Sequence, residues 1–102
     1  MTQSYAQLVA ADRRLCILRL LVEARGSSNE SVLQKALEAL GHLAEMSRDY
    51  VRDQLRFLET AGLVRIDYYN DRVMVAHILE RGAAVARGSI SCDGVAEPSF
   101  GG

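Results

Sequence analysis

The sequence predicts a mainly α-helical domain with a β-hairpin after its third helix. Apolar residues recur at helical spacing in three stretches between Tyr5 and Ala61, each followed by a glycine. The runs LVRIDYY and RVMVAHIL then flank Asn70-Asp71, a two-residue turn candidate. A short fourth helix is predicted over 80–87. The 102 residues suffice for one small domain, which we expect to span residues 1–88.

The first two helices are marked by the spacing of their apolar residues and by the glycines that follow. The first helix is predicted from about Tyr5 to Arg25, ending before Gly26, and the second ends at Gly41. The apolar residues that define them are Leu8, Leu15, Ile17, Leu18, Leu21 and Val22 in the first, and Val32, Leu33, Ala36, Leu37 and Leu40 in the second. The intervening SSNE offers Ser28 or Asn29 as the cap of the second helix, and Ser27 and Glu30 have the spacing of a capping box.

The third helix, predicted over Arg48–Ala61, has signals at both ends. Ser47 can accept a hydrogen bond from the first turn, and Met46 and Val51 have the spacing of a hydrophobic staple. Gly62 supplies the left-handed residue after the last turn, so Leu63 can fold back onto Leu58. The short link between the second and third helices favours a steep packing angle.

The hairpin is predicted to pair Tyr69 with Arg72 across a two-residue turn. The resulting core face contains Val64, Ile66, Tyr68, Val73, Val75 and His77. The opposite face contains Arg65, Asp67, Tyr69, Arg72 and Met74. The last segment, residues 89–102, has no sustained apolar period and is predicted to be a poorly ordered tail.

Charge and cysteine content restrict the classes of function. The net charge is −1 and the pI is about 6.1, so binding to nucleic acid would depend on a local basic surface. Two widely separated cysteines do not form a disulfide framework or a zinc-ligand pair. We find neither a leader-like N-terminus nor an apolar stretch of ~18 residues that would span a membrane. These observations predict a cytoplasmic protein without a membrane partner.

The order of three helices, a hairpin and a short helix is that of a winged helix-turn-helix domain. Within it, VRDQLRFLETAGLV resembles the recognition-helix segment of ArsR-like and MarR-like bacterial regulators, and ILERGAAVA resembles the segment after their wing. NESVLQKALEALG followed by SRDYVRDQLRFLETAGLV is similar to small winged-helix proteins of Mu-like phages and prophages. The likeness covers roughly residues 12–88. Leu79 replaces the usual threonine cap, and the metal-sensing cysteines of ArsR proteins are missing.

The third predicted helix carries a stripe of arginines. Arg48, Arg52 and Arg56 lie within an arc of about 80°, away from the apolar side of the helix. Arginine can contact guanine or phosphate in a bidentate manner, and a helix fits the major groove. The resemblance places Arg48, Asp49, Arg52, Asp53 and Arg56 at the groove. The full set of predicted DNA-binding residues is Ser47, Arg48, Tyr50, Arg52, Asp53, Arg56 and Arg72.

These residues also have structural interpretations. Between Ser47 and Arg72, five arginines are balanced by five acidic residues, as on an ordinary solvated surface. Tyr50 either touches the DNA backbone or covers the core, and packing is the favoured role of Tyr69. The leading hypothesis, from the resemblance, is a DNA-binding transcriptional regulator of prophage or bacterial origin that acts on double-stranded DNA as a homodimer. The alternative is a module that binds another protein through the mixed-charge helix and the Tyr68–Tyr69 edge.

Enzymatic and metal-dependent functions are not predicted. The sequence contains no phosphate-binding glycine loop, nucleophile elbow or HExxH motif. Cys16, His42 and His77 show no ligand spacing, and we expect His77 to be a structural residue on the core face of the hairpin. No cofactor is predicted.

Overall fold

A computed structural model describes residues 2–98. Its elements are α1 (Tyr5–Glu23), β1 (Ser27–Asn29), α2 (Glu30–Ala39), α3 (Arg48–Thr60), β2 (Val64–Tyr69), β3 (Val73–Ile78) and α4 (Glu80–Ala86). In this part of the chain, four helices pack with one three-stranded antiparallel sheet of order β1-β3-β2. The predicted helices and hairpin are thus confirmed, whereas β1 was not predicted.

The helix boundaries follow from local hydrogen bonds. The Ser47 hydroxyl accepts from the Tyr50 amide at 3.0 Å, as predicted, and Asn29 rather than Ser28 caps α2 by accepting from the Val32 amide at 2.9 Å. At the end of α3, Gly62 has φ +78°. The Leu63 amide then donates to the Leu58 carbonyl at 2.9 Å, which is the predicted Schellman stop.

The hairpin register differs from the prediction by one residue. Asn70 and Asp71 form the turn, both with positive φ, and the Arg72 amide donates to the Tyr69 carbonyl at 3.1 Å. The ladder nevertheless pairs Tyr69 with Val73, which leaves Arg72 as an extra residue. Because side chains alternate along a strand, this shift reverses the two faces of β3.

The predicted core face is therefore right for the buried start of β2 and wrong for β3. Met74 and Ala76 are buried beside Val64, whereas Val73, Val75 and His77 lie on the outer face. As the extra residue of the hairpin, Arg72 also presents its backbone carbonyl to the Arg52 side chain of α3.

The main core lies where α1, α2, α3 and the inner face of the sheet meet. Its fully buried members are Ile17, Leu18, Leu21, Leu33, Leu37, Val51, Leu55, Leu58, Leu63, Val64, Met74 and Ala76. All the helical members fall at the spacing that predicted the helices. Burial of large aliphatic side chains, each worth about 1.5–3 kcal/mol, is the main term that holds the elements together.

The segment predicted to be a poorly ordered tail instead packs onto the helices as far as the described residues extend. Val95 is buried, and the Ala96 amide donates to the Ala11 carbonyl at 3.0 Å. Arg14 donates to the Gly94 carbonyl at 2.8 Å while its guanidinium stacks 3.7 Å from the centroid of Phe57. The segment lacks a helical or strand period because single residues, rather than a repeating face, make these contacts. Residues 99–102 of the predicted tail lie outside the described residues.

The start of α4 provides a test of the capping argument. Leu79 occupies the N-cap position in extended conformation, and its side chain cannot accept a hydrogen bond. We expect Leu79→Thr to stabilise the protein by about 1 kcal/mol, because a threonine hydroxyl can accept from the first turn. Urea unfolding measures the change, with Leu79→Ala as the control that removes the leucine without adding a cap. Equal stability of the two variants would contradict the argument.

Candidate nucleic-acid interface

The predicted DNA-binding residues other than Tyr50 lie at the N-cap and in the first three turns of α3 or directly after the hairpin turn, and the Arg52 side chain joins the two places by donating to the Arg72 carbonyl. Ser47, Arg48 and Asp53 are exposed on α3, and Arg72 is exposed after the turn. Ser47 is engaged as the helix cap through its side chain. The structure therefore brings the α3 residues and the turn residue to a common surface.

A buried carboxylate at the base of this surface holds three elements together. Glu30, the first residue of α2, is 1% exposed. Its two oxygens accept from the Arg52 Nε at 2.6 Å and Nη2 at 2.8 Å, and Oε2 also accepts from the Met74 amide at 2.6 Å. Arg52 Nη2 further donates to the Arg72 carbonyl at 2.7 Å. Glu30 and Arg52 thus connect α2, α3, β3 and the hairpin turn.

This geometry changes the ionisation of both groups. The hydrogen bond from Arg52 lowers the pKa of Glu30, and the Met74 amide contributes in the same direction, while burial opposes the shift. The same hydrogen bond raises the pKa of Arg52. Both groups therefore remain charged at neutral pH. Arg52 is occupied by protein acceptors on its Nε and Nη2 edge, so less of its guanidinium is available to an external anion than that of the more exposed Arg48 and Arg56.

Glu30 is the residue that the sequence reasoning missed. Its position after SSN indicated a local capping role, but the observed cap is Asn29, and the Glu30 side chain points into the interior. No local sequence pattern distinguishes a glutamate that caps a helix from one whose side chain is buried. The only sequence signal was the presence of one acidic residue at the start of an otherwise apolar helix face.

Arg48 and Arg56 keep much of their surface in solvent. Arg48 is 49% exposed; its Nε donates to the Gln34 Oε1 at 3.1 Å and lies 3.9 Å from the Glu30 Oε1. Arg56 is 53% exposed, and its Nη1 lies 3.6 Å from Oδ1 of the exposed Asp53. Surface pairs of this kind contribute little to stability and are easily exchanged for another anion. Arg48 and Arg56 are therefore the available cations of α3.

Tyr50 lies on the other side of the α3 N-terminus and is half-buried. Its ring lies under the guanidinium of Arg13, with 5.1 Å between the Arg13 Cζ and the ring centroid. The ring thus packs against Arg13, and a contact of Tyr50 with the DNA backbone stays a prediction. Tyr69 is exposed on the outer face of the hairpin, away from the core.

His77 lies on the outer face of the sheet and not on the predicted core face, because of the register shift in β3. Its Nδ1 is 2.6 Å from the Ser27 hydroxyl and its Nε2 is 3.1 Å from the Asp67 carboxylate. Arg65 also pairs with Asp67, and it is the main cause of the lowered pKa of Asp67. These cross-strand contacts hold the three strands in register on a solvated face.

Asp12, Cys16 and His42 form a cluster that the sequence spacing did not reveal, with one ligand atom of each within 4.8 Å of the others. The Arg13 Nε donates to His42 Nδ1 at 3.3 Å, which leaves the ring proton of a neutral His42 on Nε2, facing the Cys16 sulfur at 3.6 Å. Burial also raises the pKa of Cys16. A metal would require a thiolate and an unprotonated nitrogen at this point, so the geometry fits a hydrogen-bonded pair.

These features define a small α/β protein with four helices among its described residues, of which α3 carries exposed arginines beside a hairpin turn. Among residues 2–98 there is no helix whose length and apolar character would let it span a lipid bilayer. No protein-family model matches the chain, and no solved structure matches it significantly.

Two relatives define its family. The chain is 42% identical over 78 residues to an uncharacterized protein of Haemophilus influenzae, covering 76% of this chain and 74% of the relative. It is 38% identical over 91 residues to the uncharacterized protein gp26 of Escherichia phage Mu, covering 89% of this chain and 92% of that protein. The chain belongs to the protein family that contains phage Mu gp26.

Replacing Arg52 tests the role of the buried carboxylate. We expect Arg52→Ala to destabilise the protein by about 1–3 kcal/mol, because the buried Glu30 carboxylate loses both hydrogen bonds from Arg52 and keeps only the more distant Arg48 Nε, 3.9 Å from its Oε1. Arg56→Ala is the matched control, because it removes an exposed arginine of the same helix and should change stability by no more than about 0.5 kcal/mol. Urea unfolding compares the two variants. Equal destabilisation would show that Arg52 is a surface residue like Arg56.

The lowered pKa of Glu30 predicts how stability depends on pH. A carboxylate whose pKa is lower in the folded state stabilises the protein above its unfolded pKa of about 4.3, and this contribution is lost as the pH falls through the folded value. We therefore expect the unfolding midpoint in urea to decrease as the pH falls below about 4.5. In Glu30→Gln this decrease should be smaller. An unchanged pH dependence in that variant would contradict the assignment.

Proposed function

We propose that this protein is a winged-helix DNA-binding protein that places α3 in the major groove. The observation that carries the proposal is the exposure of Arg48 and Arg56 on α3 next to the hairpin turn. The order of the elements and the β1-β3-β2 sheet are compatible with a winged helix whose wing is the β2–β3 hairpin. A helix adjoining a hairpin can contact base edges and the flanking backbone together.

The predicted residues take different roles in this proposal. Arg48 and Arg56 contact bases or phosphates, and Arg72 contacts the backbone at the flank. Asp53 lies between the arginines and can accept a hydrogen bond from cytosine N4. Arg52 is a positioning residue, because its contacts with Glu30 and the Arg72 carbonyl set the angle between α3 and the hairpin.

The small number of free cations favours binding as a homodimer. Each phosphate contact adds to the affinity, and two half-sites double the number that a single module provides. The family relationship to a phage Mu protein supports a role encoded by a phage or prophage, and we propose transcriptional regulation in the cytoplasm.

Size-exclusion chromatography with light scattering at micromolar concentration tests the dimer, and a purely monomeric protein would contradict it.

A protein-binding module is the second candidate. Tyr68 and Tyr69 are 51% and 67% exposed at the end of the hairpin, and exposed tyrosines are frequent at protein interfaces. The acidic residues Asp49, Asp53 and Glu59 on the exposed side of α3 also reduce its attraction to phosphate. In this case the hairpin edge contacts a protein partner, and duplex DNA is not bound.

DNA titration separates the two candidates. We expect fluorescent duplex DNA of mixed sequence to bind at about 50 mM salt and to bind more weakly at about 200 mM, with a log–log slope of about −0.9 per phosphate contacted. Arg48→Ala/Arg56→Ala should weaken binding at least ten-fold. Fluorescence anisotropy measures both effects.

The control for charge is Arg19→Ala/Arg87→Ala, which removes two exposed arginines from α1 and the end of α4. It lowers the net charge by the same amount away from α3. If the two double variants weaken binding equally, the attraction is nonspecific and the proposed interface is wrong. No binding by the wild type at low salt would support the protein-binding candidate.

A further inference from the structure

Asp12, Cys16 and His42 bring three types of metal ligand together beside α1. One ligand atom of each lies within 4.8 Å of the others. Asp12 and Cys16 are four residues apart on α1, so their side chains lie on the same face of the helix, one turn apart. His42 reaches them from the start of the link between α2 and α3. A helix and a loop thus bring an oxygen, a sulfur and a nitrogen to one point.

The position of His42 is fixed by the end of α2. Gly41 has φ +95°, and the His42 amide donates to the Leu37 carbonyl at 3.0 Å, which is the same type of stop that ends α3. The His42 Nε2 then lies 3.6 Å from the Cys16 sulfur. In tetrahedral geometry, a Zn²⁺ ion at its usual bond lengths holds a sulfur and a nitrogen ligand about 3.6 Å apart. The pair therefore has the separation of two ligands of one ion.

The surroundings of these ligands favour a cation. The charged residues that line the adjoining groove are Asp12, Arg13 and Glu45, so acidic residues outnumber basic ones by two to one. Asp12 is exposed, and no ion pair within residues 2–98 engages Asp12 or Glu45. The Asp12 side chain can therefore rotate toward an ion. Three protein ligands leave the fourth position of a tetrahedral ion to water from the groove.

Without an ion, Cys16 and His42 are hydrogen-bonded, and ion binding must displace protons from both. The Cys16 thiol keeps its proton because burial raises its pKa. The neutral His42 ring has its proton on Nε2 because the Arg13 Nε donates to Nδ1 at 3.3 Å. Ion binding releases the thiol proton to solvent and moves the ring proton from Nε2 to Nδ1. The hydrogen bond from Arg13 is lost in that step, so Arg13 opposes binding.

We propose that Asp12, Cys16 and His42 form a binding site for one Zn²⁺ ion. Carboxylate, thiolate and neutral imidazole are the ligand types that Zn²⁺ takes in proteins. A bound ion joins α1 to the link that precedes α3. The site is independent of the proposed DNA binding, because Arg48 and Arg56 lie outside the ligand cluster and the groove.

The test uses Co²⁺ as a probe, since it accepts the same tetrahedral ligands and its bond to a thiolate absorbs in the near ultraviolet. Titration of the untagged, reduced chain should give this absorption with one equivalent of Co²⁺, and Zn²⁺ should remove it by competition. Cys16→Ser and His42→Gln should each weaken binding at least about 100-fold, because losing a ligand costs at least as much as losing the group that orients it. Asp12→Asn should weaken binding about ten-fold, because the exposed carboxylate is the least fixed ligand.

The chain contains one other cysteine and one other histidine, which supply matched controls. Cys92→Ser and His77→Gln should bind Co²⁺ as the wild type does. Arg13→Gln should bind it about ten-fold more tightly, because the opposing hydrogen bond is gone and the glutamine oxygen can accept from the His42 Nδ1 proton.

A second measurement needs no variant. Iodoacetamide modification of the wild type, followed by peptide mass spectrometry, compares the two cysteines with and without Zn²⁺. Zn²⁺ should slow the modification of Cys16 at least ten-fold and leave that of Cys92 unchanged. Thermal unfolding verifies that each variant is folded, and the modification experiment decides the question if Cys16→Ser or His42→Gln is not folded.

Five results would overturn the proposal. They are no thiolate absorption at millimolar Co²⁺, absorption that persists in Cys16→Ser, absorption that is lost in Cys92→Ser, equal modification of Cys16 with and without Zn²⁺, and one ion bound for two chains. The last result would show that ligands from two copies of the chain form the site. Equal or weaker binding by Arg13→Gln would show that the His42 Nε2 is not a ligand, which also contradicts the proposal.

Discussion

The Glu30 carboxylate is the interaction on which the arrangement of α2, α3 and the hairpin depends. Apolar burial holds these elements together, but it is not directional and permits small changes in the angle between them. The carboxylate accepts three hydrogen bonds at fixed positions, two from Arg52 and one from the Met74 amide. Because Arg52 also reaches the Arg72 carbonyl, the turn of the hairpin is fixed relative to α3. The extra residue in the hairpin is what presents that carbonyl.

This constraint reduces the cationic character of the proposed DNA-binding surface. The central arginine of the stripe is used inside the protein, which leaves Arg48 and Arg56 on α3 and Arg72 after the turn. Acidic side chains lie between them, so the surface has no excess positive charge. In the proposed function, affinity therefore depends on the accurate placement of a few arginines and on a second subunit, rather than on general attraction to phosphate. The ion pair supplies that placement.

The sequence predicted the parts of the fold that depend on local patterns. Apolar spacing located the first three helices, and the Ser47 cap and the Gly62 stop were identified from single residues. Features that depend on contacts between distant residues were missed. The strand β1 consists of three polar residues without alternation, the hairpin register depends on one extra residue, and Val95 joins the core from a segment that has no repeating apolar face. The same limit applies to the site: the surface position of α3 was predictable, but the pairing of Glu30 with Arg52 joins residues 22 positions apart.

The ionisation of Glu30 tests the account most directly. Nuclear magnetic resonance of the side-chain carboxyl carbon can follow its titration in the folded protein and in Arg52→Gln. We expect a midpoint below the ordinary glutamate value of about 4.3 in the wild type, and a higher midpoint in the variant. An ordinary midpoint that is the same in both proteins would show that the carboxylate is solvated and unpaired, and would contradict the central role given to it here.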